Sequence, residues 1–250
     1  MIDTHAHLDM CADPPAAVLE RAVAAGVPRV VTVGSGAAGA RRACEIAECS
    51  QGVACAVGIH PHDAGRATPD ELAQLRELLA HPRVVAVGET GLDHFRDYAP
   101  RDEQAEAFAA QVELAAEAGK PLVVHSRAAD GATLAALGEA SPETPVVLHC
   151  VSSLPLVEEA VERGYFCSFA GNVTYPKALE LRQAATLVPA ERILAETDAP
   201  YLAPQPVRGQ KNEPAFVVHV LAALAEARGE SPAELERQID VNAARLFNFE

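Results

Sequence analysis

Ile2-Asp3-Thr4-His5-Ala6-His7 opens the chain with a strand-like run that ends in imidazoles. The same grammar returns four times. Val84-Val85-Ala86-Val87-Gly88 leads into Glu89, Leu122-Val123-Val124 into His125, Val146-Val147-Leu148 into His149, and Ile193-Leu194-Ala195-Glu196-Thr197 into Asp198. Apolar runs of this length read as buried strands. Imidazoles and carboxylates are donors that divalent metals of borderline hardness accept. Five strands each finished by such a donor imply one shared polar pocket at one edge of a sheet, and with it a metal-dependent hydrolase.

Between these runs the sequence alternates with Ala/Leu/Glu-rich stretches. Strands are expected near 2–6, 30–33, 54–58, 84–88, 122–124, 146–148, 165–169 and 193–196. Helices are expected near 16–25, 38–49, 69–80, 101–118, 131–139, 156–163, 176–187 and 214–228. Gly26, Gly119 and Gly164 follow helical runs, where a left-handed residue commonly ends the helix. Pro69, Pro176 and Pro214 stand at plausible first helical positions. A last helix near 232–239 and the tail Arg245-Leu246-Phe247 are expected to cover the exterior. Alternating βα units give a parallel sheet. An open sheet would spread the ends of the first, fourth, fifth, sixth and eighth strands too widely for one site. A closed (β/α)₈ TIM barrel of the α/β class brings them to a common mouth, and 250 residues is the usual length for one. Residues 1–250 therefore read as a single barrel domain.

His5 and His7 are two apart on a strand, so they share a face, with Asp3 one step deeper. Asp198 follows Glu196 by two and lies nearer the mouth, which makes it the better ligand and base and leaves Glu196 behind it. Glu89 has two carboxylate oxygens and can bridge two metals. Any one of these histidines alone reads as a core residue; four of the nine at strand ends do not. His60 and His62, in Gly58-Ile59-His60-Pro61-His62, either contact substrate or form a rigid polar loop. Arg127 and Arg208 lie past the fifth and eighth strands, where barrel loops hold phosphate and arginine suits bidentate contact. Lys211 reads equally well as solvated charge.

Thirty-five acidic against twenty basic residues give a net charge of −15, which taken alone argues against passive binding of nucleic acid. Net charge governs the far field, however, not the field inside a pocket that holds cations. No apolar stretch approaches the roughly 20 residues that cross a bilayer. The N-terminus lacks a basic and then apolar segment, so no secretory signal is expected. Six cysteines without a C-x-x-C pair point to a reducing, cytoplasmic compartment, with Cys55, Cys150 and Cys167 in strand-like runs as small buried hydrophobes.

The chain resembles the TatD-like metal-dependent hydrolases, within the amidohydrolase-like barrels. The matching segments are Asp3-Thr4-His5-Ala6-His7-Leu8-Asp9, Gly58-Ile59-His60-Pro61-His62, Val87-Gly88-Glu89-Thr90-Gly91-Leu92-Asp93, His125-Ser126-Arg127, His149-Cys150 and Glu196-Thr197-Asp198-Ala199-Pro200-Tyr201-Leu202. Arg208-Gly209-Gln210-Lys211-Asn212-Glu213-Pro214 and Asn242-Ala243-Ala244-Arg245-Leu246-Phe247 extend the likeness across the chain. The resemblance implies two divalent ions, Mg, Mn or Zn. It places His5, His7, Glu89 and Asp198 on one and Glu89, His125 and His149 on the other. It also implies a 3′-5′ exodeoxyribonuclease that acts on single-stranded or frayed DNA ends, as a monomer and away from membranes. Departures fall at the mouth: Phe95 after His94, Val151 and Ser153 after His149, and Ala128 where an Asp often follows the His-Ser-Arg triplet. They bear on substrate preference rather than on metal binding.

In this reading a metal-activated hydroxide attacks phosphorus, with Asp198 and Glu89 as the catalytic carboxylates and His60, His62, Arg127 and Arg208 as substrate contacts. The same pocket would serve hydrolysis of a non-nucleic-acid ester or amide, since such a hydroxide attacks carbonyl carbon too. A non-catalytic metal-binding scaffold is the third reading. It requires a closed coordination shell, whereas catalytic sites keep a place for water.

Overall fold

The β-branched runs form eight parallel strands that pair in chain order. In this computed structural model, which describes residues 1–138 and 140–248, they are β1 Ile2–Ala6, β2 Arg29–Ser35, β3 Val53–Gly58, β4 Val84–Asp93, β5 Leu122–Arg127, β6 Val146–Leu148, β7 Phe166–Phe169 and β8 Ile193–Ala195. The segment after β8 returns to β1: Asp198 N–H donates to the His5 carbonyl (3.0 Å) and His7 N–H to the Ala199 carbonyl (2.7 Å). These bonds close the sheet into the expected (β/α)₈ barrel, with its chemistry-bearing ends at one rim. The helices are α1 Pro15–Ala24, α2 Gly36–Glu48, α3 Pro69–Leu78, α4 Arg101–Ala118, α5 Asp130–Leu137, α6 Leu154–Glu162, α7 Leu179–Leu187, α8 Val217–Arg228 and α9 Pro232–Phe247. The expected end of the fifth helix, Glu139, and the last two residues of the expected domain lie outside the described residues.

Boundaries differ in informative places. β4 does not stop at Gly88 but runs on to Asp93, so Glu89 lies inside the strand. Gly91 makes the extension possible. Its φ is +132°, and a Cβ there would overlap the backbone of His125 on β5. Only glycine meets both conditions. β5 likewise continues to Arg127, so His125 is inside it. Pro69 opens α3 as expected, with Thr68 accepting from Glu71 N–H as its cap. Pro176 does not open α7, which starts at Leu179. The Arg182 guanidinium takes the carbonyls of Val173, Tyr175 and Pro176 and holds that stretch as a loop. Pro214 starts a 3₁₀ turn that runs into α8. Cys150 lies just past β6 with φ +46° rather than inside a strand.

The last helix is longer than its apolar spacing suggested. It runs to Phe247, and Asn242, fully buried, donates to the carbonyls of Ala190 and Ile193 at the foot of β8. At the same end the Met1 ammonium meets Glu236 (3.0 Å) and Asp240 (3.2 Å). The N- and C-terminal segments are thus tied together beneath the barrel, on the side away from the histidines.

Two buried glutamines of α4 anchor the rim. Gln104 accepts from Asp93 N–H (2.8 Å), fixing the end of β4. Gln111 accepts from Ile59 N–H (2.6 Å) and donates to the Ile59 carbonyl (3.1 Å) and to Thr90 Oγ1 (2.7 Å). It therefore sets the backbone just before His60. Gln111→Leu keeps volume but leaves the Ile59 amide groups unpaired, and is expected to lower stability by about 2–4 kcal/mol. Urea unfolding followed by circular dichroism checks this; an unchanged midpoint would remove the clamp from the account.

Candidate metal centre at the barrel mouth

Glu89 is the hub. It is 3% exposed, and its two oxygens face different imidazoles. Oε1 lies 2.7 Å from His125 Nδ1, 2.8 Å from His149 Nε2 and 3.3 Å from His60 Nε2. Oε2 lies 3.3 Å from His5 Nε2 and 3.6 Å from His7 Nε2. His7 Nε2 in turn lies 3.6 Å from Asp198 Oδ1. The structure therefore brings together all six residues expected as ligands, drawn from β1, β4 and β5 and the segments after β1, β6 and β8, and it adds His60.

The backbone explains the aim of each side chain. His5 and Asp3 alternate into the barrel interior along β1. His7 follows as the strand ends, held by its bond to Ala199. Asp198 sits at φ +55° immediately after Thr197. That turn is fixed from below by Asp3, which accepts from Thr197 N–H (2.9 Å) and from its hydroxyl (2.6 Å). Asp3 also accepts from His5 N–H (3.3 Å), so one buried carboxylate orients both arms. Burial pushes the Asp3 carboxyl up to about 8, against the hydrogen bonds from Thr197.

Two more carboxylates stand behind the imidazoles. Glu196 Oε1 lies 3.1 Å from His149 Nδ1, which turns Nε2 toward Glu89. Asp93 Oδ2 lies 2.7 Å from His62 Nε2 and 3.7 Å from His125 Nε2. Glu196 was expected behind Asp198. Asp93 carries no ligand signal of its own in the sequence, although it shares the i, i+2, i+4 alternation of Glu89 and Gly91. Carboxylates in this position fix a ring's orientation and raise its basicity.

Burial alone would protonate Glu89, but the imidazoles of His149 and His60, with hydrogen bonds from His125 and His149, hold it well below the ordinary carboxylate range. His149 shows the converse. Burial favours its neutral form, and Glu89 and Glu196 outweigh that and raise it well above the usual imidazole value. His5 is lowered by burial and by its neighbour His149, whose ring stacks on it at 4.0 Å. Asp198 is held low against its burial, chiefly by His7 and His149.

The donor chemistry fits divalent cations. Both ring nitrogens of His5, Oε2 of Glu89 and Nε2 of His125 are buried without a hydrogen-bond partner among the described residues. Buried polar atoms are rarely left so. Three sets offer donor atoms within 4.8 Å of one another: His5, His7 and Glu89; His60, Glu89 and His125; and His5, His149 and Glu196. The first two are joined through Glu89. His62 opens outward, 31% exposed, while Arg127 and Arg208 are exposed and stack on Phe95 and Tyr175 rather than pairing with a carboxylate of the cluster.

Convergent imidazoles and carboxylates around one bridging carboxylate, at the C-terminal rim of a parallel barrel, define a metal-dependent hydrolase. A model of the TatD-related DNase family matches residues 2–248. The chain belongs to the TatD family of metal-dependent hydrolases. It is 43% identical over 260 residues to a Mycobacterium tuberculosis protein named uncharacterized metal-dependent hydrolase TatD, covering 100% of this chain and 98% of the other. It is 39% identical over 237 residues to the 3′-5′ ssDNA/RNA exonuclease TatD of Cronobacter sakazakii, covering 92% and 90%. The crystal structure of YJJV, a TatD homologue from Escherichia coli, superposes with a TM-score of 0.93 at 34% identity, covering 100% and 98%. Among the described residues no helix is long and apolar enough to cross a membrane.

Glu196→Gln keeps the shape beside His149 but removes the charge. It is expected to weaken divalent-ion binding about 10- to 100-fold. Calorimetric titration of the metal-stripped protein with Mn²⁺ or Zn²⁺ measures this; parental affinity would detach His149 from the ion.

Proposed function

We propose that this protein hydrolyses phosphodiester bonds at the 3′ end of DNA, in the cytoplasm and as one barrel domain, using two divalent ions. The observation that carries the reading is the division of Glu89 between two sets of imidazoles, with orphaned donors on both sides. His5, His7, Glu89 and Asp198 are read as the ligands of one ion, and Glu89, His125 and His149 as those of the other. Bound there, such ions would acidify a water and polarise the phosphoryl oxygen. The exonuclease names of relatives that are 38–39% identical favour nucleic acid as the substrate. The free cysteines suit a reducing compartment.

The remaining work falls to the chain's own groups. Asp198 is kept ionised by His7 and His149, and is read as the base that orients the attacking water and takes its proton. His60 and His62 line the approach from the loop after β3 and are read as contacts to the reacting phosphate. Arg127 and Arg208 are read as the cations that neutralise its non-bridging oxygens.

Chelator treatment is expected to abolish digestion of a 3′-labelled single strand, and added Mg²⁺ or Mn²⁺ to restore it, with label leaving as mononucleotide. A 5′-labelled strand should shorten stepwise. Asp198→Asn and Glu89→Ala, fully loaded with metal, are expected to cut the rate by about 10²–10⁴-fold. Parental rates in either variant would overturn the assignment. Turnover of a small amide or carboxylic ester with no digestion of DNA would move the activity to another bond.

A further inference from the structure

Four of the exposed large apolar side chains gather on the catalytic rim. Phe95 and Tyr98 follow β4 and are 62% and 65% exposed; Tyr201 follows β8 at 48%, and Met10 follows β1 at 53%. The chain has only eleven Phe and Tyr residues in all, so this placement is concentrated. Arg127, from the end of β5, lays its guanidinium 4.2 Å from the Phe95 ring centre. Arg96 sits between the two rings, 5.8 Å from Phe95 and 6.0 Å from Tyr98. Neither guanidinium forms an ion pair among the described residues, whereas Arg101 nearby is taken up by Asp97 at 2.8 Å. Two unpaired cations on two bare rings, in a chain of net charge −15, form a local exception to its acidic surface.

This surface is continuous with the metal centre. The Tyr98 ring meets that of His62 at 4.7 Å, and His62 stands 6.3 Å from His125. We propose that Phe95, Tyr98, Arg96 and Arg127 form a stacking platform for unpaired nucleobases of the strand whose end lies in the centre. The inference rests on the phosphodiesterase reading and adds the part that selects the substrate. Aromatic faces and guanidinium planes stack on bases, and the same guanidinium groups neutralise the adjoining phosphates. Stacking of this kind tolerates any sequence, because every base has a π-face. It also requires the base to be splayed out, so a base held inside a duplex cannot use it. The platform therefore makes the enzyme selective for single strands without reading sequence.

The chain has no tryptophan, so Phe95→Trp introduces a single indole at the platform. Its fluorescence is expected to be quenched by an oligothymidylate with phosphorothioate linkages at the 3′ end. An abasic strand of equal length and a blunt duplex should leave it unquenched. Equal quenching by the abasic strand, or none by oligothymidylate, overturns the proposal. In the Phe95→Ala/Tyr98→Ala double variant, KM for the single strand is expected to rise about 10-fold while kcat holds within about twofold, the size of one or two lost stacks. Its rate on an abasic strand of equal length, which offers no ring to stack, should stay parental. An unchanged KM for the strand counts against the platform. If the parent protein leaves DNA intact but base-dependent quenching is seen, the hydrolytic reading fails and the platform stands. If it digests DNA and quenching ignores the bases, the reverse holds.

Discussion

A carboxylate almost out of reach of water, with an imidazole aimed at each of its oxygens from several directions, is the constraint around which this barrel is built. An ionised Glu89 buried alone would cost several kcal/mol. It is tolerated because His125, His149 and His60 face one oxygen and His5 and His7 the other. Burial lowers His5 and His60, whereas the neighbouring carboxylates outweigh burial and raise His7, His125 and His149. Protons on the raised rings can balance Glu89, and the lone pairs that converge on it are placed where a cation could do the same. Because the donors come from strands far apart in sequence, only a closed sheet can hold them around one residue.

Support for that cluster is supplied from beneath and behind, by groups that do not face the mouth. Asp3 ties Thr197 to the His5 backbone, so the arm bearing Asp198 and the strand bearing His5 move as one unit. Glu196 holds the far nitrogen of His149, whose near nitrogen points at Glu89, and Asp93 holds His62 and lies behind His125. Gln111 and Gln104 fix the backbone on either side of the β3 and β4 rim. Positions of this kind decide whether a ligand set is merely adjacent or correctly aimed.

The strand runs and the donors that finish them were legible because both are local. Val84 to Val87 or Val146 to Leu148 announces a buried strand by composition, and a following Glu or His is conspicuous against it. The extension of β4 to Asp93 was not legible, because Gly88, Gly91 and polar Thr90 read as a break until the backbone of β5 is known to lie against Gly91. Asp93 was hidden with it. His60 looked like a loop residue; its approach to Glu89 depends on the Gln111 clamp, a contact across 52 residues that no window of sequence contains. Pro176 does not open the helix its sequence suggests, because a proline followed by helix formers looks the same whether it starts a helix or the loop before one; the carbonyls taken by Arg182 decide it.

Chemistry and recognition are carried by different parts of this molecule. The donors sit on strands or within a few residues of a strand's end, where packing leaves little freedom, and most of the groups read as substrate contacts sit at the rim beyond them, which can change without disturbing the centre. Ala128 shows how small such a change can be. Its φ is +53°, a conformation that Asp and Asn adopt more readily than Ala. In the pattern the chain resembles an Asp stands at this place, next in sequence to Arg127. Here the place is Ala and the guanidinium lies on Phe95, itself one of the departures from that pattern. The two differences act in one direction: they free a cation and a ring at the entrance to a site whose metal-binding face is unaltered. On the reading proposed above, substrate preference would be set by what the loops withhold from one another, which leaves arginine and aromatic surface exposed at the mouth.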